Sequence, residues 1–154
     1  GTTRDELGCS EHYRLLGHVG ANVPRYRKED ARATYEAVGE LGRRGLIHSS
    51  HDLSDGGLMV ALAESAIGSA LGASVTLPDD ALTTRAHLFS ESFSRLLLSV
   101  PAERAAEALA VLGAHGTKLG VVTKEGWLQV ERRGERVSKV SVEAAQAAYE
   151  RGLP

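Results

Sequence analysis

The chain has 154 residues, 42% of them hydrophobic and 25% charged, with 18 basic against 20 acidic side chains. That composition excludes wholesale disorder. The near-neutral balance excludes the basic stripe of a general nucleic-acid or membrane-surface binder, and no apolar run approaches the roughly 18 residues of a membrane span. The one cysteine, Cys9, cannot form an internal disulfide, so nothing points to an oxidising compartment. A cytoplasmic protein with neither nucleic acid nor membrane as partner is expected. The length fits a single domain over residues 1–154, large enough to bury about 68–70% of its unfolded surface. The chain opens on Gly1-Thr2-Thr3 with neither an initiator methionine nor an apolar leader, so a piece of a longer multidomain chain is expected.

Residues 1–13 are polar and loop-like, a short apolar stretch follows at Tyr13–Gly17, and Val19–Lys28 reads as a linker broken by Gly20, Asn22 and Pro24. Ala31, Tyr35, Val38 and Leu41 recur at helical spacing, which predicts a helix over Asp30–Arg44 stopped by Gly45. A short strand at Leu46–Ser50 comes next. Leu58–Ala70 reads as a helix apolar on nearly every side, hence buried, and Gly72 ends it. Ala73–Leu77 is a strand stopped by Pro78. Arg95–Val100 is a continuous apolar run expected to be a central strand. Pro101–Ala114 reads as a helix with proline at its first turn. Strands at Lys118–Thr123, Trp127–Glu131 and Arg136–Val140 follow, the last two joined by a turn at Arg132–Glu135. Ser141 is placed to cap a final helix running to Arg151, with Gly152 as its stop. The order implies an α+β fold, a mixed β-sheet flanked by α-helices.

The charge is unevenly spread. Residues 1–50 carry eight basic and seven acidic residues, as do residues 101–154, whereas residues 51–100 carry Arg85 and Arg95 against six acids. Within that acidic third, His51-Asp52-Leu53-Ser54-Asp55-Gly56-Gly57-Leu58 spans a strand end and a helix start. A helix N-terminus presents unpaired N–H groups and partial positive charge. Gly56 and Gly57 would let a ligand come close to the backbone, Ser54 offers a hydroxyl to a phosphate oxygen, and Asp52 could hold a bridging cation. Together they form a candidate site for phosphate with Mg²⁺. Asp55 reads better as the helix N-cap, Ser54 could itself cap or turn, and His51 reads as a structural hydrogen-bonding group. In Leu88–Arg95, Ser90, Glu91 and Ser92 precede the apolar run; chemistry alone reads them as a turn in which Glu91 pairs with Arg95. Asp79 and Asp80 read as a solvated loop. Cys9 lacks a supporting base and is not read as a nucleophile.

Four segments in this order, Gly1–Tyr13, His51–Leu58 with the helix that follows, Leu88–Arg95 and Lys118–Thr123, resemble the C-terminal domain of the phosphoribosylformylglycinamidine synthase family. The resemblance covers essentially the whole chain. It implies the C-terminal fold shared with aminoimidazole ribonucleotide synthetase, selenophosphate synthetase, thiamine-phosphate kinase and a hydrogenase maturation protein. It further implies a parent chain of two similar halves, each an ATP-binding domain followed by a domain like this one. The implied reaction uses ATP and glutamine-derived ammonia to turn formylglycinamide ribonucleotide into the amidine, with ADP and phosphate. The implied partners are the preceding ATP-binding domains and, in a multi-subunit form, a glutaminase subunit and a small accessory subunit. By the same resemblance Asp52 is a metal ligand and Ser54 contacts nucleotide at an auxiliary site, beside the Gly56 and Gly57 that the residue chemistry adds as nucleotide-binding positions. Glu91 and Ser92, by analogy with the first half, line that site. The isolated 154 residues are expected to be inactive. Where the family has Gly-Gly-Ser-Glu-Tyr, this chain has Gly8-Cys9-Ser10-Glu11-His12.

Overall fold

The computed structural model describes residues 1–152; residues 153 and 154, the end of the expected domain, lie outside the described residues. In chain order the elements are α1 (Glu11–Leu15), α2 (Lys28–Arg43), β1 (Ser49–Asp52), α3 (Gly57–Ala66), β2 (Gly72–Thr76), α4 (Thr84–Phe89) and β3 (Leu96–Ser99). Then follow α5 (Ala105–Leu112), set between two 3₁₀ turns, β4 (Gly120–Thr123), β5 (Trp127–Arg132), β6 (Glu135–Ser141) and α6 (Val142–Arg151). Four strands form a mixed sheet in the order β4-β2-β5-β6, with β2 parallel to β5 and the other pairs antiparallel. Helices flank it, as expected of an α+β chain. No helix among the described residues is long and apolar enough to cross a membrane.

β5 shows why the helices sit where they do. Leu128, Val130 and Arg132 alternate with Trp127, Gln129 and Glu131, and the first set is buried, the period-two signature of a half-covered sheet. On that covered face Leu58 and Leu62 of α3 meet Val75, Leu77, Leu88 and Val130, while Ala66 and Val142 close over Leu128. The helix read as apolar on nearly every side is thus wedged between sheet, α4 and α6. It ends at Ala66 rather than Ala70, because Ile67 turns extended and Gly68 (φ +88°) and Ala70 (φ +55°) take left-handed conformations.

β1 and β3 form a separate two-stranded antiparallel ribbon, Ser49 opposite Ser99 and Asp52 opposite Leu96. This corrects the expectation of a central strand at Arg95–Val100. Leu97 packs into the core under the sheet. Leu98 points the other way, into a second core of Leu41, Leu46 and Ala108 between α2 and α5. A run apolar on both faces reports burial on both faces, not the number of neighbouring strands. The first strand is also shifted, from Leu46–Ser50 to Ser49–Asp52. Leu46 is consumed in the helix stop instead: after Gly45 (φ +62°) its N–H donates to Leu41 O at 3.0 Å and its side chain is fully buried.

Two helices went unforeseen, α1 with five residues and α4 with six. Each is too short to show periodicity, but each has a hydroxyl N-cap: Ser10 accepts from the Tyr13 N–H and Thr83 from the Ala86 N–H. The Asp79–Asp80 loop before α4 is pinned rather than merely solvated. Arg132, 7% exposed, donates to the carbonyls of Pro78, Asp80 and Leu82 and to Thr84 Oγ1. Asp80 pairs with the buried His87 at 2.8 Å.

The hydrogen bond with His87, with help from the Leu82 N–H and the Arg132 charge and despite some desolvation, holds the Asp80 carboxyl below its ordinary value. A carboxyl depressed on folding adds stability above its unfolded value, and that contribution is lost as pH falls through the folded value. The chain's resistance to urea should therefore fall steadily below about pH 4, and the Asp80→Asn variant should show a shallower acid slope. An unchanged slope in Asp80→Asn would remove this pair from the account.

Candidate functional site

β1 delivers Asp52 to the end of the ribbon, where the Leu53 N–H makes one last cross-ribbon bond to Arg95 O at 3.0 Å before the chain leaves. The chain then turns through Ser54 and Asp55, with the Gly57 N–H donating to Ser54 O at 3.1 Å. The Asp52 side chain is 74% exposed. Its Oδ2 accepts from the Ser54 hydroxyl. That bond first, then backbone hydrogen bonding and the nearby His51, lowers its pKa, so it is an ionised, water-facing oxygen donor at neutral pH. His51 is structural as read: Nδ1 meets Asp52 O at 2.6 Å and Nε2 lies 3.3 Å from Glu64 Oε2.

Asp55 does not cap α3. The N-cap is Gly56, left-handed at φ +77° and without a side-chain cap bond. The capping function comes from a distant residue: Glu91 Oε1 accepts the Gly56 N–H at 2.8 Å and the Glu11 N–H at 2.9 Å. One carboxylate oxygen therefore serves the starts of both α3 and α1, and its charge complements the positive helix end. Gly57 is needed for a close approach, though of protein rather than ligand. A methyl group there would stand 2.7 Å from Ser90 O and 2.9 Å from Leu88 O.

The Leu88–Arg95 segment is bound along its length to residues 1–11. The Arg4 N–H donates to Ser92 Oγ at 3.1 Å, the Glu6 N–H to Ser90 Oγ at 3.3 Å, and the Glu91 N–H to Glu6 O at 3.4 Å. Ser90 and Ser92 are buried. The expected Glu91–Arg95 pair does not form. The Arg95 guanidinium donates to Ser90 O, Ser92 O and Thr3 Oγ1 instead. Burial pushes its pKa down to about 10, against the opposing charges of Glu6 and Glu91, so it remains a cation at neutral pH. The structure thus gathers Asp52, Ser54, Gly56, Gly57 and Glu91 at one junction, while Ser92 faces away toward Arg4.

Sequence reasoning passed over Glu6 and read Ser90 only as part of a turn. Glu6 is 3% exposed and takes Arg27 at 2.9 Å; its only sequence signal is a carboxylate followed at once by Leu7 and Gly8 in a segment quoted for its resemblance. Cys9 occupies a left-handed conformation (φ +59°), which suits the glycine of the family pattern better than a side chain. It is exposed. Among the described residues no three His, Cys, Asp or Glu side chains gather closely enough to hold a metal ion. Any cation at Asp52 would take its remaining ligands from outside this set, as Mg²⁺ commonly does from phosphates and water.

A four-stranded mixed sheet with helices on its covered face, and a loop-built junction at a strand end, define an α+β domain whose exposed chemistry lies at the start of α3. The chain belongs to the family described as AIR synthase related protein, C-terminal domain, whose pattern matches residues 4–132. It is 38% identical to the phosphoribosylformylglycinamidine synthase subunit PurL of Thermobifida fusca over 160 residues, covering 100% of this chain and 20% of that protein. Among solved structures, Thermotoga maritima PurL complexed with FGAR aligns with a TM-score of 0.73 at 24% identity, covering 80% of this chain and 22% of that one. The same protein complexed with ATP aligns at 0.69 and 24%, covering 91% and 24%. That likeness carries the fold. The chain spans about a fifth of the length of the relatives it matches.

Replacing Glu91 by Ala leaves two helix-start N–H groups without their acceptor, at about 1–3 kcal/mol for each buried unpaired group. The predicted loss for Glu91→Ala is roughly 2–4 kcal/mol, and for Glu91→Gln, which keeps an acceptor but no charge, about 1 kcal/mol. Equilibrium denaturation measures both. A loss below about 0.5 kcal/mol for Glu91→Ala, the range of a neutral surface change, would contradict the clamp.

Proposed function

We infer that this chain is the C-terminal domain of a phosphoribosylformylglycinamidine synthase and completes a nucleotide site with ATP-binding domains elsewhere in its parent protein. The observation that carries this is the junction itself. An ionised, exposed Asp52 shares a hydrogen bond with Ser54 at the start of a buried helix, within a chain whose whole length aligns with the synthase subunit. In this reading Asp52 and Ser54 meet the ligand. Gly56, Gly57, Glu91 and Ser92 hold the backbone that presents them.

The donor set fits a hard divalent cation. The nearest basic nitrogen to the Asp52 carboxylate among the described residues is His51 Nδ1 at 4.0 Å, and carboxylate plus phosphate oxygens is the usual Mg²⁺ environment. The ion would neutralise phosphate charge where Asp52 holds it. Ser54 keeps the carboxylate oriented and ionised, and Glu91 keeps the helix start rigid.

In the parent enzyme the γ-phosphoryl group passes from ATP to the amide oxygen of formylglycinamide ribonucleotide, releasing ADP. Ammonia then adds at that carbon, phosphate departs with the oxygen, and the amidine remains. A glutaminase subunit would supply the ammonia and a small accessory subunit would complete a multi-subunit assembly. A cytoplasmic location follows from that role.

One observation favours a second reading, in which the domain pins a nucleotide structurally or only supports its neighbours. The Gly56 N–H that would meet a phosphate is already taken by Glu91. Asp52→Asn in the full-length parent protein separates the two. The catalytic reading predicts at least a tenfold loss of amidine formation with the melting temperature unchanged. Unchanged turnover would leave the structural reading. The 154-residue chain alone is predicted to form no amidine from ATP, ammonia and formylglycinamide ribonucleotide, and any turnover by it would overturn the shared-site reading.

A further inference from the structure

We propose that the cavity between residues 1–4, the Arg25–Arg27 stretch and the Ser92–Ser94 turn binds a small phosphoryl oxyanion, phosphate or a phosphate monoester, with Arg25 as its principal ligand. None of its lining residues belongs to the Asp52–Gly57 junction. The cavity holds about 160 Å³; the charged side chains lining it are Arg4, Arg25, Arg27 and Asp30, and the Gly1 amino group, its pKa lowered by burial, lies beside them. That size admits a small tetrahedral anion and falls below the roughly 300–1,000 Å³ of pockets for larger ligands. Three guanidinium groups against one carboxylate set the sign of the ligand.

The three arginines are not equivalent. Arg27 is committed: Nη2 donates to Glu6 Oε1 at 2.9 Å and Nη1 to Arg25 O at 2.9 Å. Arg4 is paired with Asp30 at 3.0 Å, but the pair is exposed and such pairs exchange partners readily. Among the described residues the Arg25 guanidinium has no hydrogen bond and no ion pair. Its main chain is nonetheless fixed at both ends, the N–H on Glu6 Oε1 at 3.4 Å and the carbonyl on Arg27. An exposed cation anchored at its base, lining the cavity and without a protein partner, is an unfilled ligand position.

Two further features support the site. The buried Arg95 guanidinium donates to Ser92 O and so holds the Ser92–Ser94 turn that forms one wall. Ser92 lines the cavity and its hydroxyl oxygen accepts the Arg4 N–H, which ties this wall to residues 1–4. At the rim, exposed Phe93 meets exposed Tyr26 edge to face with ring centroids 6.4 Å apart, an apolar ledge beside the anion position.

The test titrates the full chain with inorganic phosphate and, separately, phenyl phosphate at fixed ionic strength, following arginine Nε–H resonances by NMR. The Arg25 resonance is expected to shift and saturate with both. Arg25→Gln should weaken binding at least tenfold. Asp30→Asn, which releases Arg4, should tighten it several-fold. Arg133→Gln, on the exposed pair with Asp79, should change nothing. Tighter phenyl phosphate identifies the ligand as an ester seated on the aromatic ledge; equal affinities identify the phosphoryl group alone. No saturable shift beyond that given by chloride, or undiminished binding in folded Arg25→Gln, would overturn the proposal.

Discussion

A single carboxylate oxygen, Oε1 of Glu91, takes the N–H groups that begin α1 and α3, and the junction at the end of β1 depends on it. Without an acceptor from elsewhere the Gly56 N–H at the start of α3 would stay open, because the first turn of α3 holds no acidic side chain that could reach back to it. Borrowing the cap from Glu91 ties the helix start to the Leu88–Arg95 segment, and that segment is in turn laced to residues 3–6 through Ser90, Ser92 and Arg95. Asp52 and Ser54 project from this frame into solvent. The same arrangement puts negative charge on the helix end, so the exposed oxygens, rather than the helix dipole, are left as the chemical feature of the junction.

The ribbon β1–β3 connects this frame to both cores. Leu97 reaches the layer under the four-stranded sheet and Leu98 the layer between α2 and α5. Asp52 therefore stands at the end of an element gripped from two sides. A carboxylate on such a support loses little entropy when it binds a ligand, which is the advantage of placing functional loops on rigid elements.

Much of this was legible in the residues themselves. The period of Ala31, Tyr35, Val38 and Leu41 located α2, the turn residues on either side of Trp127–Glu131 bounded β5, and Ser141 capped α6 as read, accepting from the Ala144 N–H. The chemical content of the Asp52–Gly57 segment was also visible, because strand end, hydroxyl, carboxylate and glycines are adjacent in sequence. What could not be read was long-range. Glu91 is 35 residues from Gly56 and 80 from Glu11, and no local pattern marks a cap supplied at that distance, so Asp55 took its place in the reading. The continuous apolar run at Leu96–Leu98 stated correctly that both faces are covered but not that the strand has one partner. The helices α1 and α4 are shorter than two turns and left no period to find.

Native-state hydrogen exchange at the Gly56 and Glu11 amides tests the clamp most directly. If one carboxylate holds both, the two amides are protected and share one opening free energy, which falls in step for both as denaturant is added. Exchange of Gly56 at the unprotected rate, or independent opening of the two amides, would contradict the account.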